Sequence, residues 1–177
     1  AINYCHSKNI VHWDLKPSNV LFESSGSETI KVVDFGTSTH FDSNSKMKKV
    51  LGTFEYLAPE VYKRDYDEKC DLWSIGCIMY TILTGQPAFS AESIEELAQK
   101  IQEGKFLKNK AYKRISLDAK NLLKGLINVD PSKWLSAEEA LSHSWFSGKQ
   151  EKDHDKNDVF TIEALKNFKS FWAEAKL

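Results

Sequence analysis

The segment from Cys70 to Thr84, CDLWSIGCIMYTILT, constrains the fold of this chain more than any other stretch. Apolar side chains recur at helical spacing and also occupy the intervening faces: Leu72, Trp73, Ile75, Ile78, Met79, Ile82 and Leu83. A helix that is apolar on nearly every side must lie at the centre of a domain. Gly85 and Pro87 predict where it ends. The other elements must therefore pack around this helix.

Composition narrows the classes of function. The 177 residues are 41% hydrophobic and 28% charged, which suits one globular domain with a substantial core. A net charge of -1 favours neither nucleic acid nor an anionic membrane as a partner. No apolar run approaches the roughly 18 residues of a bilayer span. Cys5, Cys70 and Cys77 form no paired motif, and the histidines lack metal-ligand spacing, so we expect a reducing, cytoplasmic location and no zinc site.

The remaining chain is predicted to be mostly helical, with short strands near its start. The first nine residues are typical of the end of a helix, and Val20–Glu23 and Thr29–Val33 are predicted strands. Residues 35–49 are polar and without periodicity, which predicts a long loop of the kind that carries function. Serines at predicted helix starts indicate N-caps, with a glutamate three residues later in two of them: Ser93, Ser116 and Ser136.

Three motifs carry residues suited to phosphate chemistry. In His12-x-Asp14-x-Lys16-x-x-Asn19, a carboxylate can accept a hydroxyl proton, a lysine can neutralise phosphate, and an amide oxygen can bind a hard metal ion. Asp34-Phe35-Gly36 follows a predicted strand, where an aspartate is well placed to hold magnesium. GTFEYLAPE, residues 52–60, ends the long loop. Each motif alone is weak evidence, but their order and spacing together are specific.

Together these motifs resemble those of eukaryotic serine/threonine protein kinases. Residues 1–146 resemble the C-terminal, large lobe, whose fold is mainly α with short β-strands beside the catalytic loop; the small lobe is absent from this sequence. KVVDFGTSTHFD and the tail EALKNFKSFWAEAKL are similar to calcium-dependent protein kinases, within the calcium/calmodulin-dependent group. Residues 147–158 are then a charged linker, and residues 159–177 a regulatory, junction-like helix.

The resemblance implies a role for each motif residue. Asp14 would be the catalytic base, Lys16 would contact the transferred phosphate of ATP, and Thr53 would help place the substrate hydroxyl. Asn19 and Asp34 would hold Mg2+. Outside the motifs, Asp71 would accept hydrogen bonds from the backbone of the catalytic loop, and His12 would pack against Phe35. The expected partners are protein substrates and a downstream calcium-binding EF-hand domain, since no EF-hand loop occurs in these residues.

Two departures from the family pattern leave alternatives open. No glycine-rich loop and no lysine of an ATP-binding strand occur ahead of Asp14, so the chain alone should be nearly inactive. Trp13, Trp134 and Trp172 also stand where these kinases have arginine. In the family the arginine that Trp134 replaces pairs with a glutamate, so Trp134 costs Glu60 its ion-pair partner if that carboxylate is buried. A single-base change interconverts some arginine and tryptophan codons, so arginine at these positions is an open possibility. The alternatives are a pseudokinase or docking module and, less favoured, a metal-dependent hydrolase using His12 and Asp14.

Overall fold

The computed structural model describes residues 1–24, 27–106, 108–146, 164 and 166–167. The helices are α1 (Ile2–Ser7), α2 (Pro59–Lys63), α3 (Cys70–Thr84), α4 (Ile94–Gln102), α5 (Lys110–Arg114), α6 (Leu117–Leu126) and α7 (Ala137–Leu141). The strands are β1 (Ile10–Val11), β2 (Val20–Phe22), β3 (Ile30–Val32) and β4 (Thr39–His40). Short 3-10 turns occupy Pro17–Asn19, Phe35–Thr37, Phe54–Tyr56, Pro131–Lys133 and Ser144–Phe146.

Helix α3 is the predicted central helix. Trp73 and Tyr80 are fully buried on it, and α5, α6 and the turn Phe54–Tyr56 pack against it. At Gly76 a Cβ atom would lie only 2.7 Å from the Ile127 side chain, so this glycine permits the close approach of the end of α6. The helix ends at Gly85 with a φ of 70°, as the sequence predicts. Because α3 is apolar on nearly every side, other elements must cover it, and most of the elements that do so are helices.

Two small antiparallel sheets flank the first motif. Strands β2 and β3 pair with Val20 opposite Val32, which confirms the two predicted strands in shortened form. Strands β1 and β4 pair through Ile10 and His40, and these two strands were not predicted. A strand of two residues has no measurable periodicity, so only the pairing reveals it. The segment between β1 and β2 is thereby held at both ends.

The predicted N-caps are all present. The Ser116 and Ser136 hydroxyls accept the backbone N–H of the third helical residue, each at 3.1 Å. At α7 the capping box is complete, because the Glu139 carboxylate also accepts the N–H of Ser136 at 2.7 Å. At α4 it is partial: Ser93 accepts the N–H of Glu96, but the Glu96 carboxylate accepts the N–H of Glu92 instead. Helix α5, capped by Asn109, was not predicted.

An apolar groove of about 450 Å3 lies between α1, α3, α6, α7 and the β2–β3 hairpin. None of the motif residues proposed for chemistry lines it, so the candidate site lies elsewhere.

Among the described residues no helix is both long enough and apolar enough to cross a bilayer. The predicted linker lies outside the described residues, and so does most of the predicted tail helix. Within that helix Asn167 Nδ2 donates to the Ile82 carbonyl at 2.9 Å.

Candidate active site

Asp71, in the first turn of α3, holds the backbone of the loop between β1 and β2. Its carboxylate accepts the N–H of His12 at 2.9 Å and the N–H of Trp13 at 3.0 Å, which confirms the predicted hydrogen bonds. Trp13 has a φ of 70°, which an L-residue rarely adopts without support from its surroundings. The buried carboxylate provides that support, because two charge-assisted hydrogen bonds fix the turn. The residues that follow in this loop are therefore held in a fixed position relative to α3.

Asp14, Lys16 and Thr53 form one hydrogen-bonded cluster. The Thr53 hydroxyl donates to Asp14 Oδ1 at 2.6 Å, and Lys16 Nζ donates to Asp14 Oδ2 at 2.9 Å. Lys16 Nζ also lies 3.1 Å from Thr53 Oγ1. Thr53 is 37 residues from Lys16 in sequence, so the fold brings the ends of two motifs together. A carboxylate, an ammonium group and a hydroxyl here share one small volume.

The surroundings of Asp14 keep its carboxyl ionised. Partial burial acts to raise the pKa of Asp14, but the hydrogen bonds from Thr53 and Lys16 and the charge of Lys16 outweigh it, and the pKa is lowered. The group is therefore a carboxylate at neutral pH. It can orient a hydroxyl and accept its proton, with a cation beside it to neutralise a phosphate.

Asn19 and Asp34 carry the oxygens suited to a metal ion. Asn19 is buried, and its Nδ2 donates to the Asp14 carbonyl at 2.8 Å, which leaves the amide oxygen as the atom able to bind a cation. Asp34 is exposed and left-handed, with a φ of 63°, and its carboxylate accepts the Gly36 N–H at 3.4 Å. The Val33 N–H donates to the Asn19 carbonyl at 2.9 Å, which ties the two segments together. Carboxylate and amide oxygens fit Mg2+, which often takes only one or two protein ligands beside phosphate oxygens.

His12 joins the loop to the Asp34-Phe35-Gly36 segment. Its ring is fully buried, contacts the Phe35 ring edge-on at 4.8 Å between centroids, and places Nε2 3.0 Å from the Val33 carbonyl. The predicted packing of His12 against Phe35 is therefore confirmed. Its contacts are structural, and no metal site forms around it: the described residues contain no cluster of three histidine, cysteine or acidic side chains.

Gly52 fixes the last part of the long loop against the loop between β1 and β2. It has a φ of 108°, and a Cβ atom added there would lie 2.4 Å from the Trp13 carbonyl oxygen. Only glycine fits both the conformation and the space. The close approach places the next residue, Thr53, within hydrogen-bond distance of Asp14.

The expected loss of a partner for Glu60 is confirmed in the described structure. Glu60 is 7% exposed, and neither carboxylate oxygen has a hydrogen-bond partner among the described residues. Burial raises its pKa from the ordinary 4.5 to about 8, so the group is mostly protonated at pH 7. Trp134 is buried 6.4 Å from Trp73, ring centroid to ring centroid, and its Nε1 donates to the Asn128 carbonyl rather than to Glu60.

Two polar contacts around the loop were missed from the sequence. His6 Nε2 lies 2.9 Å from Asp71 Oδ2, and Thr37 Oγ1 donates to the His12 carbonyl at 3.1 Å. Local spacing carries no signal for a pair that is 65 residues apart, such as His6 and Asp71. The position of His6 in the last turn of a predicted helix leading into the motif was the available hint.

Comparison with known proteins places this geometry in a family. A model of the protein kinase domain matches residues 1–146. Calcium-dependent protein kinase 3 of Plasmodium berghei (strain Anka) is 42% identical over 181 residues, covering 100% of this chain and 32% of the relative. Calcium-dependent protein kinase 4 of the same organism is 40% identical, and that of Plasmodium falciparum (isolate 3D7) is 39% identical, each over 100% of this chain and 34% of the relative.

The chain thus spans about a third of the length of these relatives. The matched residues include all three motifs and the whole Asp14, Lys16 and Thr53 cluster. On this evidence, the chain belongs to the protein kinase domain family.

Proposed function

We propose that this chain is the C-terminal, large-lobe part of a serine/threonine protein kinase that resembles calcium-dependent protein kinases. The complete enzyme would transfer the γ-phosphate of ATP to serine or threonine in protein substrates. The observation that carries the proposal is the cluster in which the Asp14 carboxylate accepts from both Thr53 and Lys16, at 2.6 and 2.9 Å. The similarity to the Plasmodium kinases supports the same reading.

In this mechanism Asp14 orients the substrate hydroxyl and accepts its proton, while the Thr53 hydroxyl, 2.6 Å from Asp14 Oδ1, helps to hold the carboxylate and the substrate in place. A bond forms between that oxygen and the γ-phosphorus, and the bond from phosphorus to the departing ADP oxygen breaks. Lys16, held 2.9 Å from Asp14, offsets negative charge on the transferred group. Mg2+, held by Asn19 and Asp34 when bound, would neutralise the phosphate oxygens. The contribution of the chain is position and charge, which are the main sources of catalysis in phosphoryl transfer.

The preference for serine and threonine rests on Thr53 and Lys16. Both lie against the Asp14 carboxylate, and in the kinases that this chain resembles these two residues go with serine and threonine substrates. The sequence carries no glycine-rich loop or ATP-binding lysine ahead of Asp14. We therefore expect the 177 residues alone to transfer phosphate at a very low rate, and we expect a product that includes a small lobe to be active.

We also propose that calcium controls the complete enzyme and that the enzyme is cytoplasmic. The relatives are calcium-dependent protein kinases by name, and this similarity is the support for proposing an EF-hand regulatory domain as a partner of this chain. Cys5, Cys70 and Cys77 are buried and free, as expected of a cytoplasmic protein.

Thermal unfolding with Mg2+ and ATP tests the nucleotide site, using a product extended upstream to include a small lobe. Binding to the native state should raise the melting temperature, and Asp34→Asn should reduce the rise. Glu28→Asn, an exposed site outside the motifs, is the control and should keep it. Absence of any shift at saturating nucleotide would exclude the enzyme. Phosphate transfer to a serine peptide, measured in the same product and in Asp14→Asn, tests the chemistry.

A pseudokinase or docking module is the second candidate, and Glu60 is the observation that favours it. Its buried carboxyl has no hydrogen-bond partner in the described structure, at the start of α2 just beyond the substrate-binding end of the loop. A weakly held loop end would impair substrate binding without disturbing Asp14. Nucleotide binding without phosphate transfer would support this candidate over the enzyme.

A further inference from the structure

The lysine-rich part of the long loop is paired with the segment that leads into α3. Met47 and Tyr66 form an antiparallel bridge, in which the Met47 N–H donates to the Tyr66 carbonyl at 2.8 Å. The residues on either side extend the pairing: Lys46 lies 2.5 Å from Asp67, and Lys48 lies 2.9 Å from Asp65. The sequence predicted only a polar loop here. The structure shows a short ladder with complementary charges at both ends.

Tyr66 is the centre of this ladder and is 1% exposed. Its backbone pairs with Met47, and its hydroxyl donates to the Lys49 carbonyl. Its ring faces the Trp13 ring, with 6.3 Å between centroids. One side chain therefore contacts both the loop and the residue beside Asp14.

Only a few residues of the loop separate the Tyr66–Lys49 contact from Asp14. Three residues after Lys49, Gly52 rests against the Trp13 carbonyl, and the next residue, Thr53, bonds to Asp14. Trp13 is 7% exposed and carries no charge, so it cannot form an ion pair with a phosphate or a carboxylate on the loop. The loop is held beside it by the ladder and by ring packing.

We propose that Tyr66 is a positioning residue, which fastens residues 46–49 beside Trp13 and thereby keeps Thr53 within hydrogen-bond distance of Asp14. This inference rests on the proposed function for its consequence in catalysis. The ladder restrains residues 46–49 through ring packing and hydrogen bonds between uncharged groups. The two lysine–aspartate pairs fix which residues of the two segments lie opposite each other. Lys46–Asp67 is the more sheltered pair, since both Lys48 and Asp65 are largely exposed.

Hydrogen exchange in the 177-residue chain tests the proposal without any need for activity. Tyr66→Phe removes one hydroxyl, and exchange of the amides in residues 50–57 should rise about fivefold, the effect of one net hydrogen bond. Tyr112→Phe, at a buried tyrosine of α5, is the matched control and should leave residues 50–57 unchanged. Unchanged exchange in Tyr66→Phe would overturn the proposal. So would a uniform rise across α3 and α6, which indicates a merely structural role.

The ion pairs give a second test on surface residues that should not impair folding. Lys46→Asp should raise exchange in residues 50–57 by about two- to fivefold at low salt, and the double variant Lys46→Asp with Asp67→Lys should restore it. The control reverses the charge of Lys31, which pairs with Glu23 on the β2–β3 hairpin at 2.8 Å, and should have no effect there. Failure of the double variant to restore protection would count against the ladder.

The same variants in a product with a small lobe separate this inference from the proposed function. Tyr66→Phe should lower kcat with little change in the KM for ATP, because the nucleotide-facing residues are untouched. If the unmodified product transfers no phosphate while exchange behaves as expected, the proposed function fails and the ladder stands. If transfer is robust and exchange is unaffected by the variants, the ladder fails and the function stands.

Discussion

The buried carboxyl of Glu60 should make the stability of this protein fall as pH rises. Burial is the main cause of the rise in its pKa from 4.5 to about 8. A shift of that size corresponds to about 5 kcal/mol, and loss of one partner of a buried pair costs roughly 3–5 kcal/mol. We therefore expect ionisation of Glu60 to lower the free energy of unfolding by about 3–5 kcal/mol. The free energy of unfolding of a typical domain is only about 5–15 kcal/mol, so this is a large part of it.

The sign follows from the protons bound in each state. Below pH 4.5 the carboxyl is protonated in both states and does not oppose folding. Between pH 4.5 and about 8 the unfolded chain releases the proton while the native protein keeps it, so the free energy of unfolding decreases as pH rises. Above about pH 8 both states are ionised and the full cost is present. The stabilising contribution of the raised pKa is thus confined to acid pH.

Urea denaturation of Glu60→Gln and the unmodified protein from pH 4.5 to 9 measures the effect. Glutamine has the same shape and cannot ionise, so the free energy of unfolding of the variant should exceed that of the unmodified protein by an amount that grows with pH. The gap should reach about 3–5 kcal/mol near pH 8. Glu28→Gln, at an exposed position, should follow the unmodified protein throughout.

Trp134→Arg provides the complementary change. The resemblance to the kinases pairs the arginine that Trp134 replaces with Glu60, so a guanidinium group at this position should lower the pKa of that carboxyl. The fall in stability between pH 4.5 and 8 should then flatten or reverse. Parallel pH profiles for Glu60→Gln and the unmodified protein would refute the reasoning, because they would mean that Glu60 has the same pKa in both states.

Further outcomes are expected at the loop and the site. Gly52→Ala would place a Cβ atom 2.4 Å from the Trp13 carbonyl in a conformation with a φ of 108°, so we expect a loss of about 2–4 kcal/mol in urea denaturation. Asp71→Asn should cost about 2 kcal/mol, since the charge-assisted acceptor for the N–H groups of His12 and Trp13 is lost, and Asp118→Asn is the control. Thr53→Ala should reduce phosphate transfer by an extended product about tenfold or more, while Thr53→Ser, which keeps the hydroxyl, should retain most of it. Ser136→Ala should lower the free energy of unfolding by about 1 kcal/mol through loss of the α7 cap, and an unchanged value would contradict the capping role.

The sequence was sufficient for features that depend on neighbours along the chain. Helix α3 follows from apolar residues on every face, and its end follows from Gly85. The caps at Ser116 and Ser136 follow from side chains that bond three residues on. The motifs that contain Asp14, Asn19 and Asp34 also indicated phosphate chemistry from the sequence, because each motif consists of a few neighbouring residues.

The tertiary structure alone decided what depends on distant contacts. Strands β1 and β4 are two residues each and become visible only through their pairing. The bond from Thr53 to Asp14 joins residues 39 positions apart, and the packing of Tyr66 on Trp13 joins residues 53 positions apart. No pattern of spacing extends over such distances. The cost at Glu60 depends on burial, which follows from how α2 packs against the core. Local propensity acts over a few residues, whereas burial and electrostatics are properties of the assembled core.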